Sequence, residues 1–199
     1  MKHTTEQLIA IAHEYFPRGM SYADPGYLET PEVQRQKAAR LPASARFDEW
    51  RALLARLRAR FPDSGVMNGS PFLQVALATL HDRCFDGRID VPPRDEDEKQ
   101  HYLEVYVSFV VPYFIICSRS ITFPPDRSAM FGGKHKATFE LSADEEPFAR
   151  AVAEEVAITF PKHEPIPAEV ALTVVPDVET ASRLLGTATI LSCLFSDKW

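Results

Sequence analysis

The first apolar pattern of the chain has the spacing of an α-helix and covers residues 5–16. Its apolar side chains recur at steps of three and four, on one face: Leu8, Ile11, Ala12 and Tyr15. Thr4 and Gln7 stand three residues apart at the start, which is the spacing of a reciprocal capping box. We therefore predict a capped amphipathic helix that is stopped by Pro17.

Two further helices are predicted before residue 62. Thr30, Pro31 and Glu32 place a capping residue, a first-turn proline and an acidic side chain in the order that begins a helix. We expect this second helix to end near Pro42, because proline is disfavoured inside a helix. Ser44 is the predicted cap of the third helix. Its apolar residues recur at helical steps: Phe47, Trp50, Leu54, Leu57 and Phe61.

Alternation of apolar and polar positions predicts strands in the middle of the chain. The strongest signal is residues 102–111, where apolar residues at odd positions alternate with Glu104, Tyr106 and Ser108. Pro112 cannot donate to a sheet ladder, so it marks a bulge, a bend or an edge. The pair Asp86-Gly87 predicts a turn before a short strand over residues 88–91.

The rest of the chain combines strands with one long helix. We predict a strand over residues 137–141 and a helix over residues 142–160, which Ser142 and Glu145 begin as a second capping box. Residues 170–175 have the composition of a further strand.

Two apolar segments fit a helix or a strand equally by their periodicity. They are residues 72–79 and residues 187–195. For the second segment we favour a short amphipathic helix capped by Thr187.

Helices come first, strands follow, and regular β-α-β alternation is missing. This order predicts an α+β fold in which N-terminal helices pack on a mainly antiparallel sheet. At 199 residues the chain fits a single domain, with a helical layer at about 1–61 and a sheet-bearing part at about 65–199. We expect the helices to cover one face of the sheet and the other face to remain open for a partner.

Net charge is −6 and unevenly distributed. Residues 1–60 hold 10 basic and 7 acidic side chains, whereas residues 61–199 hold 12 and 21. Because most of the chain is acidic, we expect no nucleic-acid binding. The N-terminal residues lack the pattern of a signal peptide, and no apolar run reaches the ~20 residues of a membrane span, so we expect a cytoplasmic protein without a membrane anchor.

A local catalytic or metal-binding motif is not recognisable. His81, Asp82 and Cys84 are too close in sequence to form the usual nucleophile–base–orienter geometry, whose members come from separated segments. The remaining histidines and the three cysteines have no ligand spacing, so we predict neither a metal nor a cofactor. Consecutive acids such as Asp95–Glu98 are expected to be well solvated rather than catalytic.

The second half of the chain resembles bacterial polymorphic-toxin immunity proteins of the α+β type. The resemblance rests on residues 107–114 (VSFVVPYF), on Phe160-Pro161 after the long helix, and on residues 175–178 and 194–197. It implies an inhibitor that binds one cognate protein toxin and performs no chemistry. An acidic surface would speed the capture of a basic toxin. The expected contact residues are Asp95, Glu96, Asp97, Glu98, Glu104 and Tyr106.

Three functional hypotheses stay open at this point. The first is the immunity-type inhibitor. The second is a small-molecule enzyme with a dispersed active site that uses His81, Cys84 or Glu104. The third is a structural subunit that self-associates through an exposed strand near Pro112. The acidic residues named above could also serve only solubility.

Overall fold

The computed structural model describes residues 1–70, 83–91, 99–122 and 134–197. Its helices are α1 (Thr5–Tyr15), α2 (Pro31–Ala45), α3 (Phe47–Arg60), α4 (Glu146–Thr159), α5 (Ala168–Ala171) and α6 (Ile190–Leu194), with a 3₁₀ turn at Tyr27–Glu29. Its strands are β1 (Val66–Asn68), β2 (Cys84–Val91), β3 (Lys99–Ser108), β4 (Tyr113–Thr122), β5 (Lys134–Thr138) and β6 (Glu164–Pro165).

The strands form one sheet in the order β1-β2-β3-β4-β5, with every neighbouring pair antiparallel. The two-residue strand β6 adds a parallel pair to β4. Three helices precede this sheet and the long helix α4 follows β5. The predicted α+β fold with a mainly antiparallel sheet is therefore confirmed.

The central hairpin turns earlier than the sequence pattern predicts. β3 ends at Ser108 and β4 begins at Tyr113, so that Pro112 lies in the connecting loop and not in a strand. The Ser108 hydroxyl accepts hydrogen bonds of 3.2 Å from the main-chain N–H groups of Val110 and Val111. This side-chain cap closes the loop, because a serine oxygen can replace the ladder partners that the chain loses there.

Gly87 lies inside β2, so the predicted turn at Asp86-Gly87 is wrong. A Cβ atom on Gly87 would stand 2.9 Å from Cζ2 of Trp50 and 3.1 Å from Cδ2 of Leu54. The glycine therefore serves the close approach of α3 to the sheet rather than a change of chain direction.

The helix α3 packs with α4 against one face of the sheet and forms the first core. Its buried residues include four of the predicted apolar positions and also Leu53. Trp50 stacks on Phe85 of β2, with ring centroids 5.6 Å apart. Arg56 and Arg60 on α3 form ion pairs of 2.6 and 2.7 Å with Glu155 and Glu154 on α4.

The opposite face of the sheet is covered as well, so the expectation of an open face is wrong. The helix α1, residues 166–178 and α6 bury a second core against Tyr106, Tyr113 and Ile115. The predicted helical layer is thus divided between the two faces, with α1 on one and α3 on the other. Both faces are apolar, and each therefore needs its own cover.

The C-terminal part departs from its predicted elements. Residues 170–175, predicted as a strand, contain the end of the short helix α5 instead. Segment 187–195 does contain a helix, α6, but Thr189 caps it, and Ser192 completes the capping box. All five residues of α6 are buried, so this helix has no solvent-facing side and is not amphipathic. Segment 72–79 lies outside the described residues.

Helix ends were predicted with mixed success. The Thr4–Gln7 capping box of α1 is confirmed, as is the start of α2 at Pro31. However, α2 continues through Pro42 to Ala45, and Ser44 therefore lies inside it rather than capping α3. A single residue, Arg46, forms the corner between α2 and α3.

The helix α4 begins later than predicted, at Glu146 rather than near residue 142. The predicted strand over residues 137–141 overlaps β5 at only two residues, because β5 runs from Lys134 to Thr138.

Candidate functional site

The two predicted contact residues on β3 belong to a buried polar network. Tyr106 is only 1 % exposed, and its hydroxyl donates a hydrogen bond of 2.6 Å to Oε2 of Glu104. The same oxygen lies 3.0 Å from Nε of Arg119 on β4. Burial, followed by the nearby carboxylates Asp86 and Glu104, raises the pKa of Tyr106 well above its ordinary value. These residues are therefore not an exposed contact surface. The other predicted contacts, Asp95, Glu96, Asp97 and Glu98, lie outside the described residues.

Cys84, one of the residues considered for catalysis, is not accessible to solvent. Cys84 has no exposed surface and lies in the second core. Arg83 beside it donates a 2.5 Å hydrogen bond to the main-chain carbonyl of Ser192, and its guanidinium lies 4.9 Å from the ring centroid of Phe16. Both contacts join β2 to the elements of the second core. His81 and Asp82 lie outside the described residues.

A cavity of about 500 Å³ lies at the end of the β3–β4 hairpin. It is lined by Phe85 and by three segments: residues 42, 43 and 46 at the α2–α3 corner, residues 108–112 of the hairpin loop, and residues 160–163 after α4. We call it the aromatic cup. Its size lies within the range of ligand pockets.

Three phenylalanines form the apolar walls of the aromatic cup. Phe85 packs against Phe160 with ring centroids 5.6 Å apart and meets Phe109 edge to face at 6.3 Å. Phe85 and Phe160 are buried, whereas Phe109 is half-buried because the loop that carries it faces the cup. Such an arrangement holds the rings in fixed positions, and of the three only Phe109 keeps appreciable exposed surface.

Arg46 links the rim of the cup to α4. Its guanidinium carbon lies 4.6 Å from the ring centroid of Phe160, and its Nη2 lies 2.7 Å from Oε2 of Glu49. The same nitrogen donates a 3.4 Å hydrogen bond to the main-chain carbonyl of Thr159. The residue that turns the chain between α2 and α3 thus also fixes a positive charge beside an aromatic wall.

His163 joins the two other segments of the cup. Its Nε2 lies 2.8 Å from the carbonyl oxygen of Ser108, so this nitrogen carries the proton and donates it. Burial lowers the pKa of His163, and the neighbouring charges of Arg46 and Lys2 add to that effect. The ring is therefore neutral at pH 7, and its Nδ1 is a buried acceptor without a hydrogen bond from any described residue.

A second cleft of about 370 Å³ lies between β5 and the start of α4. Glu145 is buried there and accepts hydrogen bonds of 2.5 Å from the Ser118 hydroxyl and of 2.8 Å from the main-chain N–H of Ser142. The Ser142 hydroxyl adds a third, of 2.7 Å. Ser142 and Glu145 thus contact each other, but the predicted capping box is wrong, because Glu145 is the N-cap of α4 and no side chain caps this helix. The hydrogen bond from Ser118 on β4 fastens the start of α4 to the sheet.

The sequence offered only a faint signal for the aromatic cup. Arg46 and His163, which organise it, were not among the predicted site residues. Three prolines, Pro42, Pro112 and Pro161, lie on its rim, one in each of its three segments. Proline beside aromatic or aliphatic residues was visible in the sequence, but nothing local indicated that these three positions meet.

Comparison of the chain with protein-family models, with curated proteins and with solved structures found no match. Across the described ranges, no helix is both long and apolar enough to cross a membrane. Within the same part of the chain, no three His, Cys, Asp or Glu side chains are grouped so that they could hold a metal ion.

Proposed function

We propose that this protein is a non-catalytic, immunity-type inhibitor that neutralises a cognate bacterial toxin by direct contact, with the aromatic cup as its contact site. One observation carries the proposal. Two of the four segments on which the resemblance rests, residues 107–114 and Phe160-Pro161, are distant in sequence, yet residues 108–112 of the first and both residues of the second line the same cup. Segments that belong to one binding site must lie together in the fold, whereas segments with unrelated roles need not.

The shape and chemistry of the cup suit a protein partner. Interfaces draw most of their binding energy from a few large side chains that fill well-packed, water-excluding pockets. The walls formed by Phe85, Phe109 and Phe160 offer such a pocket, and the contacts of Arg46 and His163 hold its segments in place before a partner arrives. Preorganisation of this kind reduces the entropy lost on binding.

Co-expression tests the proposal directly. The protein is produced together with the product of the gene next to its own, and growth and co-purification are measured. We expect the neighbouring product to be toxic alone, and both toxicity and free toxin to disappear when the two proteins are produced together.

A matched pair of substitutions assigns the contact to the cup. Pro42→Trp places an indole at the mouth of the cup, whereas Pro42→Ala leaves the cup open, and both restore a main-chain N–H to α2. We expect Pro42→Trp to lose co-purification and protection, and Pro42→Ala to keep both. A neighbouring product that is harmless, or that does not co-purify with the wild-type protein, contradicts the proposed function. Equal behaviour of the two variants contradicts the role of the cup.

A further inference from the structure

We infer that the partner fills the aromatic cup with a large apolar side chain flanked by carboxylates, that is, with a short acidic segment. This inference rests on the proposed function and names the chemistry of the partner. It also reverses an expectation from the sequence, in which an acidic surface of this chain would meet a basic toxin.

The interior of the cup determines the apolar part of the occupant. Phe85, Phe109 and Phe160 present ring surface to the cavity, and Val110 and Pro112 add aliphatic surface from the hairpin loop. The only titratable ring in the lining, His163, is neutral at pH 7 because burial lowers its pKa. A cationic side chain placed inside would therefore lose its hydration without finding an opposite charge. The guanidinium of Arg46, which also lines the cup, is already paired with Glu49.

The rim determines the charge beside that side chain. Lys162 is exposed at the rim, and the ammonium of Lys2 donates a hydrogen bond to the main-chain carbonyl of Lys162, so a second cation lies beside this segment of the rim. Neither ammonium has a carboxylate within ion-pair distance among the described residues. Glu49 is engaged by Arg46, and Glu164 accepts the main-chain N–H of Lys2 at 2.7 Å.

This charge pattern favours an acidic segment over a basic one. Two ammonium groups without carboxylate partners create a positive potential at the mouth, which attracts anions and repels cations during encounter. The acids nearest to the mouth already have partners on this chain. Carboxylates on both sides of an apolar anchor would face Lys2 and Lys162, while the anchor itself enters the cup.

Labelled peptides test the inference without the cognate partner. The probes are acetyl-Asp-Asp-Trp-Asp-Asp-amide, the same peptide with lysine in place of aspartate, and the acidic peptide with alanine in place of tryptophan. Binding to the full chain is measured by fluorescence anisotropy at low salt. We expect the acidic tryptophan peptide to bind at least about tenfold more tightly than either of the others.

Substitutions of two exposed lysines distinguish the effect of a charge at the rim of the cup from the effect of the net charge of the protein. We expect Lys162→Glu to weaken binding of the acidic tryptophan peptide at least about threefold at low salt, and the effect to shrink at high salt. Lys37→Glu makes the same charge change at an exposed lysine on α2 outside the cup, and should leave binding unchanged. Circular dichroism verifies that both variants are folded.

Three outcomes would overturn the inference: no binding of the acidic tryptophan peptide, equal binding of the basic or alanine peptide, or equal effects of the two lysine substitutions. These outcomes leave the proposed function intact if co-expression still yields a complex that Pro42→Trp disrupts. If co-expression yields no complex but the peptides bind with the expected selectivity, the toxin partner is contradicted. The inference that an acidic segment occupies the cup then still holds.

Discussion

The Nε2 atom of His163 lies 2.8 Å from the carbonyl oxygen of Ser108, the last residue of β3. The Ser108 hydroxyl in turn caps the hairpin loop through Val110 and Val111, and also donates a 2.7 Å hydrogen bond to the Leu194 carbonyl at the end of α6. One residue therefore connects the hairpin loop, the segment after α4 and the buried helix α6.

The His163 contact makes stability depend on pH. In the folded protein the pKa of His163 lies below its ordinary value near 6.5. Folding therefore favours the neutral ring over the protonated ring. The stability of the fold is therefore fully retained above the ordinary pKa of about 6.5, and it decreases as the pH falls from there towards the lower pKa of His163 in the folded state. We expect the wild-type free energy of unfolding, measured with urea, to drop more between pH 7.5 and pH 5 than that of His163→Gln. Glutamine can still donate to Ser108 but does not titrate, and the other five histidines are common to both proteins. Parallel pH profiles would contradict this assignment.

Gly87→Ala should destabilise the fold. The added Cβ would stand 2.9 Å from Cζ2 of the fully buried Trp50, which cannot move without disturbing its stacking on Phe85. Overpacking of this kind costs about 1–3 kcal/mol, measured as a loss of unfolding free energy in urea. In a Trp50→Phe background the two clashing indole atoms are absent and only Cδ2 of Leu54, at 3.1 Å, remains close, so the same substitution should cost less. An equal cost in both backgrounds would place the strain elsewhere.

Glu145→Ala should destabilise the start of α4. The Ser118 hydroxyl and the main-chain N–H of Ser142 both lose the carboxylate that accepts their hydrogen bonds. Loss of a buried acceptor costs about 1–3 kcal/mol, and thermal or urea unfolding measures it. Glu140→Ala, at an exposed position of the same cleft, should change stability by no more than about 0.5 kcal/mol. If both variants are equally stable, Glu145 does not fasten α4.

The three thiols should be inert in the folded protein. Cys84, Cys117 and Cys193 are free and buried, and burial raises the pKa of Cys193 to about 12 and that of Cys117 well above its ordinary value. We expect no reaction with an aromatic disulfide reagent at pH 8 in native buffer, and three reacting thiols in urea, followed by absorbance. A single thiol that reacts rapidly without urea would show that one of the cores opens readily.

Elements with local signals were predictable from the sequence. The capping box at Thr4 and the apolar spacing from Phe47 to Leu57 depend on neighbours within a few residues, and both are confirmed. Gly87 could not be assigned in this way, because a glycine that permits a turn and a glycine that admits a helix look the same in one sequence. Only the packing of Trp50 from α3 directly over Gly87 distinguishes the two kinds of glycine.

Features that depend on tertiary contact escaped prediction. The valines between residues 170 and 175 have strand propensity, yet the end of α5 and its burial in the second core fix a different conformation there. The aromatic cup combines Pro42, Phe109 and Phe160, which come from three distant segments, so no local pattern could reveal it. The inward position of Glu104 and Tyr106 on β3 was hidden for a related reason: it depends on Arg119 of the neighbouring strand, which pairs with Glu104 inside the fold.

The complete burial of α6 has a consequence for the order of events during synthesis. The apolar face of α1, with Leu8 and Ala12, leaves the ribosome early, but its core is closed by Leu191 and Leu194 near the other end of the described chain. Until those residues leave the ribosome, α1 lacks the packing partners of its apolar face, and this face can bind chaperones or other nascent chains. The second core can therefore close only after α6 has been translated, whereas the core between α3 and α4 can assemble earlier.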